Sequence, residues 1–269
     1  MSFTTSINIE RDFGKTPHYI VTANARQTIG KIINHFASGI HSFCLIGSYG
    51  TGKSSFILAL ENCLCGKTVG KNVLLSQRGQ FNSFEQFSFI NIVGDYTSLA
   101  NLLASHLNAE SKNVISVLDN HYNRLQKTNQ FLVIVIDEFG KVLEHAAKNN
   151  PEKEMYFLQK FCEYVNDTSK NILFLTTLHQ GFGAYAKGLK AEQKQEWTKV
   201  KGRIQDIVFA EPIEQLLNLT ATHISSADKK PTLNTDKIYN LAVASKFAAS
   251  TLDANVARAL YPMDIVSAY

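Results

Sequence analysis

The run Gly47-Ser48-Tyr49-Gly50-Thr51-Gly52-Lys53-Ser54 fits the pattern G-x-x-x-x-G-K-[ST]. Its residue types suit one kind of chemistry. Glycines let a backbone curl without Cβ clashes, so that successive N–H groups face one concavity. Such a nest at the positive end of a helix holds phosphate oxygens. Lys53 would then reach the β- and γ-phosphates of a nucleoside triphosphate, and the Ser54 hydroxyl would ligate Mg2+. Ser55 offers a second hydroxyl, which helical geometry turns elsewhere. A plain glycine-rich turn would need neither an apolar strand before it nor an amphipathic helix after it. Here Ser42–Ile46 reads as the strand and Lys53–Leu64 as the helix.

A second constellation lies 84 residues after Lys53, where Asp137-Glu138 follows the apolar run FLVIVI at 131–136. A carboxylate at the C-terminal tip of a strand beside a phosphate loop meets magnesium through its water shell. The next carboxylate, Glu138, can orient and deprotonate a water for attack on the γ-phosphate. A general base of this kind contributes about 10²–10⁴-fold in rate.

Elements must hold these groups in place. A helix at 23–38 shows Ile29, Ile32, Ile33 and Phe36 on one face. Strands are expected at 42–46, 87–93, 131–136, 171–176 and 204–209, the all-apolar 131–136 as a central parallel strand covered on both faces. Helical spacing fills 53–64, 97–126 in two pieces, and 152–165, and 180–201 is a polar, partly helical connection. Strands alternating with helices mean a parallel α/β sheet. Strands stop near Glu211, where a domain boundary is expected. Helical pattern resumes at Ile213, Leu216, Leu217 and Thr220, and again at 238–247 after a loop around Pro231.

With both constellations and this strand succession, the chain resembles the P-loop ATPases of the additional-strand group, which includes AAA+ and signal-transducing switch ATPases. The resemblance implies an α/β P-loop NTPase with a five-stranded parallel sheet in the order 5-1-4-3-2 between helices, followed by a small helical lid. It divides the chain into an N-terminal strap and helix (1–40), a core (41–210) and the lid (211–269). It implies a polar residue at the end of the fourth strand that positions the attacking water. Thr177 and Thr176 stand there, with His179 and Gln180 just beyond. It implies that Arg203, ahead of the fifth strand, reaches a neighbouring subunit's γ-phosphate, an effect of about 10³–10⁵ in rate. The active form would then be a homo-oligomer. Arg258 takes the place of a second sensor, and the base would lie near Tyr19, Ile20 and Val21. ATP is implied as the nucleotide, in keeping with the lack of an Asn-Lys-x-Asp guanine motif; Asn149 and Asn150 are followed by Pro151.

Two longer phrases are similar to large bacterial ATPases of anti-phage defence, of the BREX type. They are Val135-Ile136-Asp137-Glu138-Phe139-Gly140-Lys141, and Thr177-Leu178-His179-Gln180 with Glu196-Trp197-Thr198-Lys199-Val200-Lys201-Gly202-Arg203. That likeness implies a nucleotide-driven switch or motor with a defence-complex partner. Those proteins are much longer, and this chain stops soon after Leu260-Tyr261-Pro262-Met263-Asp264, so an N-terminal segment of a larger polypeptide is expected.

Composition sets the outer limits. The 269 residues, 45% hydrophobic and 19% charged, allow one large domain or one plus a smaller one, in the range of soluble globular proteins. Residues 1–15 do not resemble a signal peptide, and the longest strongly apolar run is too short to span a membrane. A cytoplasmic protein without a membrane partner is expected. Cys44, Cys63, Cys65 and Cys162 lack zinc-finger spacing and read as reduced, mostly buried thiols. The net charge of +4 is carried by 187–203, with six basic and two acidic residues. This is a solvated helix face or a surface that meets phosphates, either of a neighbour's nucleotide or of nucleic acid. No helix-turn-helix or zinc module supports nucleic acid.

Two other functions compete with hydrolysis. A small-molecule kinase needs lid arginines soon after the phosphate loop, and only Arg78 and Arg124 lie between Lys53 and Lys141. A nucleotide-gated binding module without turnover would not need the full hydrolytic set.

Overall fold

The computed structural model describes residues 7–16, 19–66, 81, 83–211, 213–224, 234–249, 252–261, 263 and 265–268. The sequence readings at Arg78 and around Pro231 fall outside them. Two compact units divide the chain, Met1–Ala210 and Glu211–Tyr269.

The first unit holds strands β1 (Ser42–Ile46), β2 (Gln86–Val93), β3 (Gln130–Asp137), β4 (Ile172–Leu178) and β5 (Gln205–Val208). They make one five-stranded sheet in the order β2-β3-β4-β1-β5, with parallel pairing throughout. Read from the other edge, this is the expected order 5-1-4-3-2. Parallel neighbours need crossovers. These are supplied by α2 (Lys53–Leu64), α3 (Leu99–Leu107), α4 (Val114–Gln126), α5 (Gly140–Lys148), α6 (Pro151–Val165) and α7 (Ala191–Lys201), while α1 (Ala23–Ala37) precedes β1.

Strand alternation sorts the core into two layers. In β3, Phe131, Val133 and Val135 join Ile29 and Ile32 of α1 and Phe56 and Leu60 of α2. Leu132, Ile134 and Ile136 face the other way, onto Leu103 of α3, Leu118 of α4, Leu143 of α5, Phe161 of α6 and Trp197 of α7. All six strand residues are fully buried. At roughly 1.5–3 kcal/mol for each such side chain, β3 anchors both layers. A slip of one residue would exchange its two faces and carry Asp137 to the wrong side. Register is therefore a functional quantity here.

Local signals start the helices. The Thr22 hydroxyl accepts from the Ala25 amide to cap α1, and the Asn150 side chain caps α6 with Pro151 in its first turn. Helix α5 is absent from the sequence reading, which passes from the strand to 152. Its apolar face is only Val142, Leu143 and Ala146, too short to stand out as a period. β4 also runs on to Leu178, past the expected end at 176.

The second unit comprises α8 (Ile213–Ile224), α9 (Thr235–Ala244), α10 (Ala254–Ala259) and α11 (Ile265–Ala268). Its own core gathers Leu217, Ala221, Ala242, Leu252, Val256 and Leu260. The Tyr239 hydroxyl donates to the Leu252 carbonyl at 2.7 Å and ties α9 to the segment before α10.

Candidate active site

The same alternation decides which polar side chains meet. Asp137 continues the 131/133/135 face of β3, and Thr177 continues the Leu173/Leu175 face of β4. Both lie on the α2 side of the sheet. β3 and β4 pair with Ile136 level with Thr176, so the next residues of each strand are neighbours. Helix α2 starts above this face. Ser54 Oγ donates to Asp137 Oδ2 at 2.6 Å, and Thr177 Oγ1 donates to Asp137 Oδ1 at 2.5 Å. The Glu138 amide donates to Thr177 Oγ1 at 2.9 Å and to Asp137 Oδ1 at 3.1 Å. Asp137 and Thr177 are buried, and the cluster joins the ends of β3 and β4 to the start of α2.

The loop from β1 to α2 is shaped by its glycines. A Cβ on Gly47 would sit 2.2 Å from the Phe209 carbonyl oxygen, and Gly50 and Gly52 have φ of +78° and +85°. Gly52 caps α2 without a side chain, so the first-turn amides face the concavity without intrahelical partners. The Thr51 hydroxyl donates to the Ser48 carbonyl at 2.9 Å. Lys53 is buried, and its Nζ donates to the carbonyls of Gly47 and Ser48 at 2.6 and 2.8 Å. Burial lowers the Lys53 pKa, against the attraction of Asp137. The exposed Tyr49 ring stacks on His179 with centroids 3.4 Å apart. Burial and the Lys53 charge hold His179 below its ordinary range and favour the neutral imidazole.

Glu138 turns the chain sharply, with φ of +55°. Its carboxylate pairs with Lys141 Nζ at 2.6 Å. Gly94, after β2, backs this turn. Its amide donates to the Asp137 carbonyl at 2.6 Å, and a Cβ there would lie 2.5 Å from the Glu138 carbonyl oxygen. Gly140 likewise leaves room for the Tyr185 hydroxyl.

The structure therefore brings together Lys53, Ser54, Asp137, Glu138, Thr177 and His179. The hydroxyl that reaches Asp137 is that of Ser54, not Ser55. Thr177 acts on the acidic pair: its hydrogen goes to Asp137 and its oxygen takes the Glu138 amide. The expectation for Thr176 is corrected. It lies on the opposite face of β4, fully buried, and donates to the Phe43 carbonyl at 3.2 Å. Gln180 is exposed. Tyr19 and Val21 pack against the α1/α2 layer, and Ile20 is half-buried.

Arg203 is placed elsewhere. It precedes β5, whose Gln205 pairs with Phe43 near the start of β1, so it stands at the end of the sheet away from its own phosphate loop. Nε and Nη2 donate to Glu163 Oε1 at 3.1 and 2.8 Å, and Nη1 donates to the Lys199 carbonyl at 2.6 Å. Arg258, in the second unit, donates to Asp236 at 2.7 Å. The basic segment forms α7, with Trp197 and Val200 inward and its lysines exposed; Lys199 pairs with Glu196.

Sequence reasoning missed Gly94, Gly140, Tyr185 and Lys141 as neighbours of the acidic pair. For Lys141 the signal was its spacing of three from Glu138, which becomes meaningful only with α5 in place.

Among the described residues no group of three or more His, Cys, Asp or Glu side chains could hold a metal ion. Ser54 and Asp137 supply two hard oxygens side by side. That fits Mg2+, which keeps several waters and takes phosphate oxygens for the rest. The cysteines form no disulfide, and burial pushes the thiols of Cys44 and Cys162 up to about 12, which leaves those two unreactive.

No protein-family model and no curated protein matches this sequence. Among solved structures, the chain is similar to the Aeropyrum pernix ORC2 protein in its ADP form, at 12% identity and a TM-score of 0.49, over 93% of this chain and 70% of that one. It is similar to C. elegans PCH-2 at 11% identity and a TM-score of 0.47, over 88% of this chain, and it spans 61% of the PCH-2 chain. It is also similar to domain III of the Thermotoga maritima replication initiation protein DnaA, at 10% identity and a TM-score of 0.36, over 91% and 93% of the two chains. Among the described residues no helix is long and apolar enough to cross a membrane.

Proposed function

We propose that this chain is an AAA+-like ATPase that binds ATP with Mg2+ and couples hydrolysis to a change of conformation or assembly. One observation carries the reading: Ser54, Asp137, Thr177 and the Glu138 amide form a single hydrogen-bonded cluster directly beneath the loop that carries Lys53. A glycine-rich turn of structural purpose would not aim a lysine, a hydroxyl and two consecutive carboxylates at one place.

Each residue has a role. The loop amides and Lys53 hold phosphate oxygens, Lys53 exchanging its bonds to Gly47 and Ser48 for them. Ser54 and Asp137 hold Mg2+, which, when bound, neutralises charge on the phosphates. Thr177 fixes the Asp137 carboxylate and the backbone of Glu138. Glu138 accepts the proton of the attacking water. Arg203 cannot serve its own loop from the far end of the sheet, so its role is in trans, within a homo-oligomer, once released from Glu163. The helical unit at 211–269 is the lid. The likeness of 135–141, and of 177–180 with 196–203, to BREX-type ATPases supports bacterial anti-phage defence as the setting, with a defence-complex partner.

The test is phosphate release from ATP with Mg2+ over a range of protein concentrations, beside Lys53→Ala and Glu138→Gln. Release that climbs per chain with concentration is expected, lost in Lys53→Ala and reduced by about 10²–10⁴-fold in Glu138→Gln. Tight ATP binding with no release at any concentration would replace the hydrolase with a nucleotide-gated module. Transfer of phosphate to an added acceptor would make it a kinase.

A further inference from the structure

Lys141 breaks a local rule. It lies in the first turn of α5, where the positive end of the helix disfavours a cation, and that turn has no acidic residue. Its ion pair with Glu138 is half-exposed, 48% and 39% for the two side chains, so it contributes little to stability. Folding does not explain this lysine.

Its surroundings do. The strained turn at Glu138 and the close fit of Gly140 against Tyr185 fix where α5 begins. Lys141 is thereby set beside the acidic pair, where the carboxylates of Glu138 and of Asp95, after β2, attract its charge. His179 feels both Lys53 and Lys141. Two lysines thus bear on the space above the ends of β1, β3 and β4. One is buried and bonded to loop carbonyls. The other is half-exposed and pairs with the base.

We propose that Lys141 reads the γ-phosphate: without a triphosphate it neutralises Glu138, and with one it moves to the γ-phosphate oxygens and frees the Glu138 carboxylate. This rests on the ATPase reading above. In the step that follows, the water oxygen bonds to the γ-phosphorus and the water's proton goes to Glu138. The bond from that phosphorus to the bridging oxygen breaks, and its electron pair leaves with ADP. Lys141 is then a specificity-determining residue that separates triphosphate from diphosphate. It also keeps the base occupied when there is nothing to hydrolyse.

The experiment measures binding of ADP and of the β,γ-imido analogue of ATP, each with Mg2+, to the whole chain and to K141M, K141R, K53A, E138Q and E138Q/K141M. ADP affinity within twofold of the parent is expected for K141M, which also shows that the variant is folded. Its preference for the triphosphate should fall about tenfold, and K141R should keep it. E138Q should tighten the triphosphate, and that gain should shrink in the K141M background. An unchanged triphosphate preference in K141M, or additive effects of the two substitutions, would overturn the hand-over. If the parent chain binds neither nucleotide, the ATPase reading itself fails. Binding to the parent that K53A abolishes leaves that reading standing, so that a failure confined to the K141M and E138Q/K141M comparisons counts against the role of Lys141 alone.

Discussion

The two ends of the sheet use the same kinds of residue to opposite effect. At the end where strands begin, two polar clusters are satisfied within the protein. The Asn166 side chain accepts from the His41 amide at 2.9 Å and donates to the Arg203 carbonyl at 2.8 Å, tying the entries of β1 and β5 together. Asp119 accepts from the Tyr164 hydroxyl at 3.0 Å and from Lys170 at 3.3 Å, while Lys170 lies over the Tyr122 and Tyr164 rings. Burial pushes the Asp119 carboxyl up, but the hydrogen bonds from Tyr164, Lys170 and Asn123 and the charge of Lys170 together outweigh it and hold it below its ordinary value. At the end where strands finish, polar groups are held in reserve. Lys53 rests on the carbonyls of its own loop, His179 Nδ1 is buried without a hydrogen-bond partner among the described residues, and Glu138 occupies a left-handed turn. The Asn166 and Asp119 groups are satisfied within the protein; the groups around Lys53 keep donors and strain for a ligand. Substitutions at the two ends should therefore differ in what they damage.

Among substitutions that tell the two ends apart, the largest effect is expected from Gly94→Ala. The new Cβ would press on the Glu138 carbonyl and shift the base, and a displacement of about 1 Å can cost about 10²-fold in rate. Turnover at saturating ATP should fall by that order while ATP binding survives. Equal loss of binding and turnover would show that the glycine serves folding alone.

Asn166→Ala should do the reverse. It removes two hydrogen bonds to backbone, about 1–3 kcal/mol in all. Chemical denaturation should show that loss, with turnover per folded chain unchanged. A fall in turnover instead would mean that the two ends are coupled.

His41 sharpens the comparison by pH. It is buried, stacked on Phe36 at 4.0 Å, with Nδ1 3.1 Å from the Val165 carbonyl, and burial lowers its pKa from 6.5. The unfolded chain thus takes up the proton first as pH falls. His41 contributes stability that is present above pH 6.5 and is lost as pH drops through the lower folded value, by at most about 1.4 kcal/mol per pH unit. His41→Phe keeps the stack and should flatten that slope, read from denaturation midpoints between pH 7 and 5. An equal slope in the variant would assign the dependence to another group.

The smallest effect belongs to Tyr49→Ala. The side chain is 77% exposed, so stability should stay within about 0.5 kcal/mol by thermal unfolding. Nucleotide affinity should change a few-fold as the ring leaves His179. A large stability loss would place Tyr49 among the structural residues.

Much of the molecule is legible in the sequence. The strands at 42–46 and 131–136 show as apolar runs because both faces of a central parallel strand are buried. The phosphate loop shows because its glycines and lysine sit at fixed offsets in one short segment. Helix α5 was hidden by its shortness, and with it the meaning of Lys141. Thr176 and Thr177 are both candidates at the end of the fourth strand, and the alternation of β4 from Leu173 and Leu175 puts only Thr177 on the α2 side.

The amino-acid sequence by itself determined the groups that touch phosphate and metal, Gly47 to Ser54 and Asp137-Glu138, because each set is contiguous and local backbone geometry brings it together. Only the tertiary structure decided that Thr177 supports Asp137, that Gly94 backs Glu138 and that Arg203 stands at the far end of the sheet. Those relations depend on strand register and crossover packing, where residues 40 or more positions apart meet, and no local pattern encodes such distances.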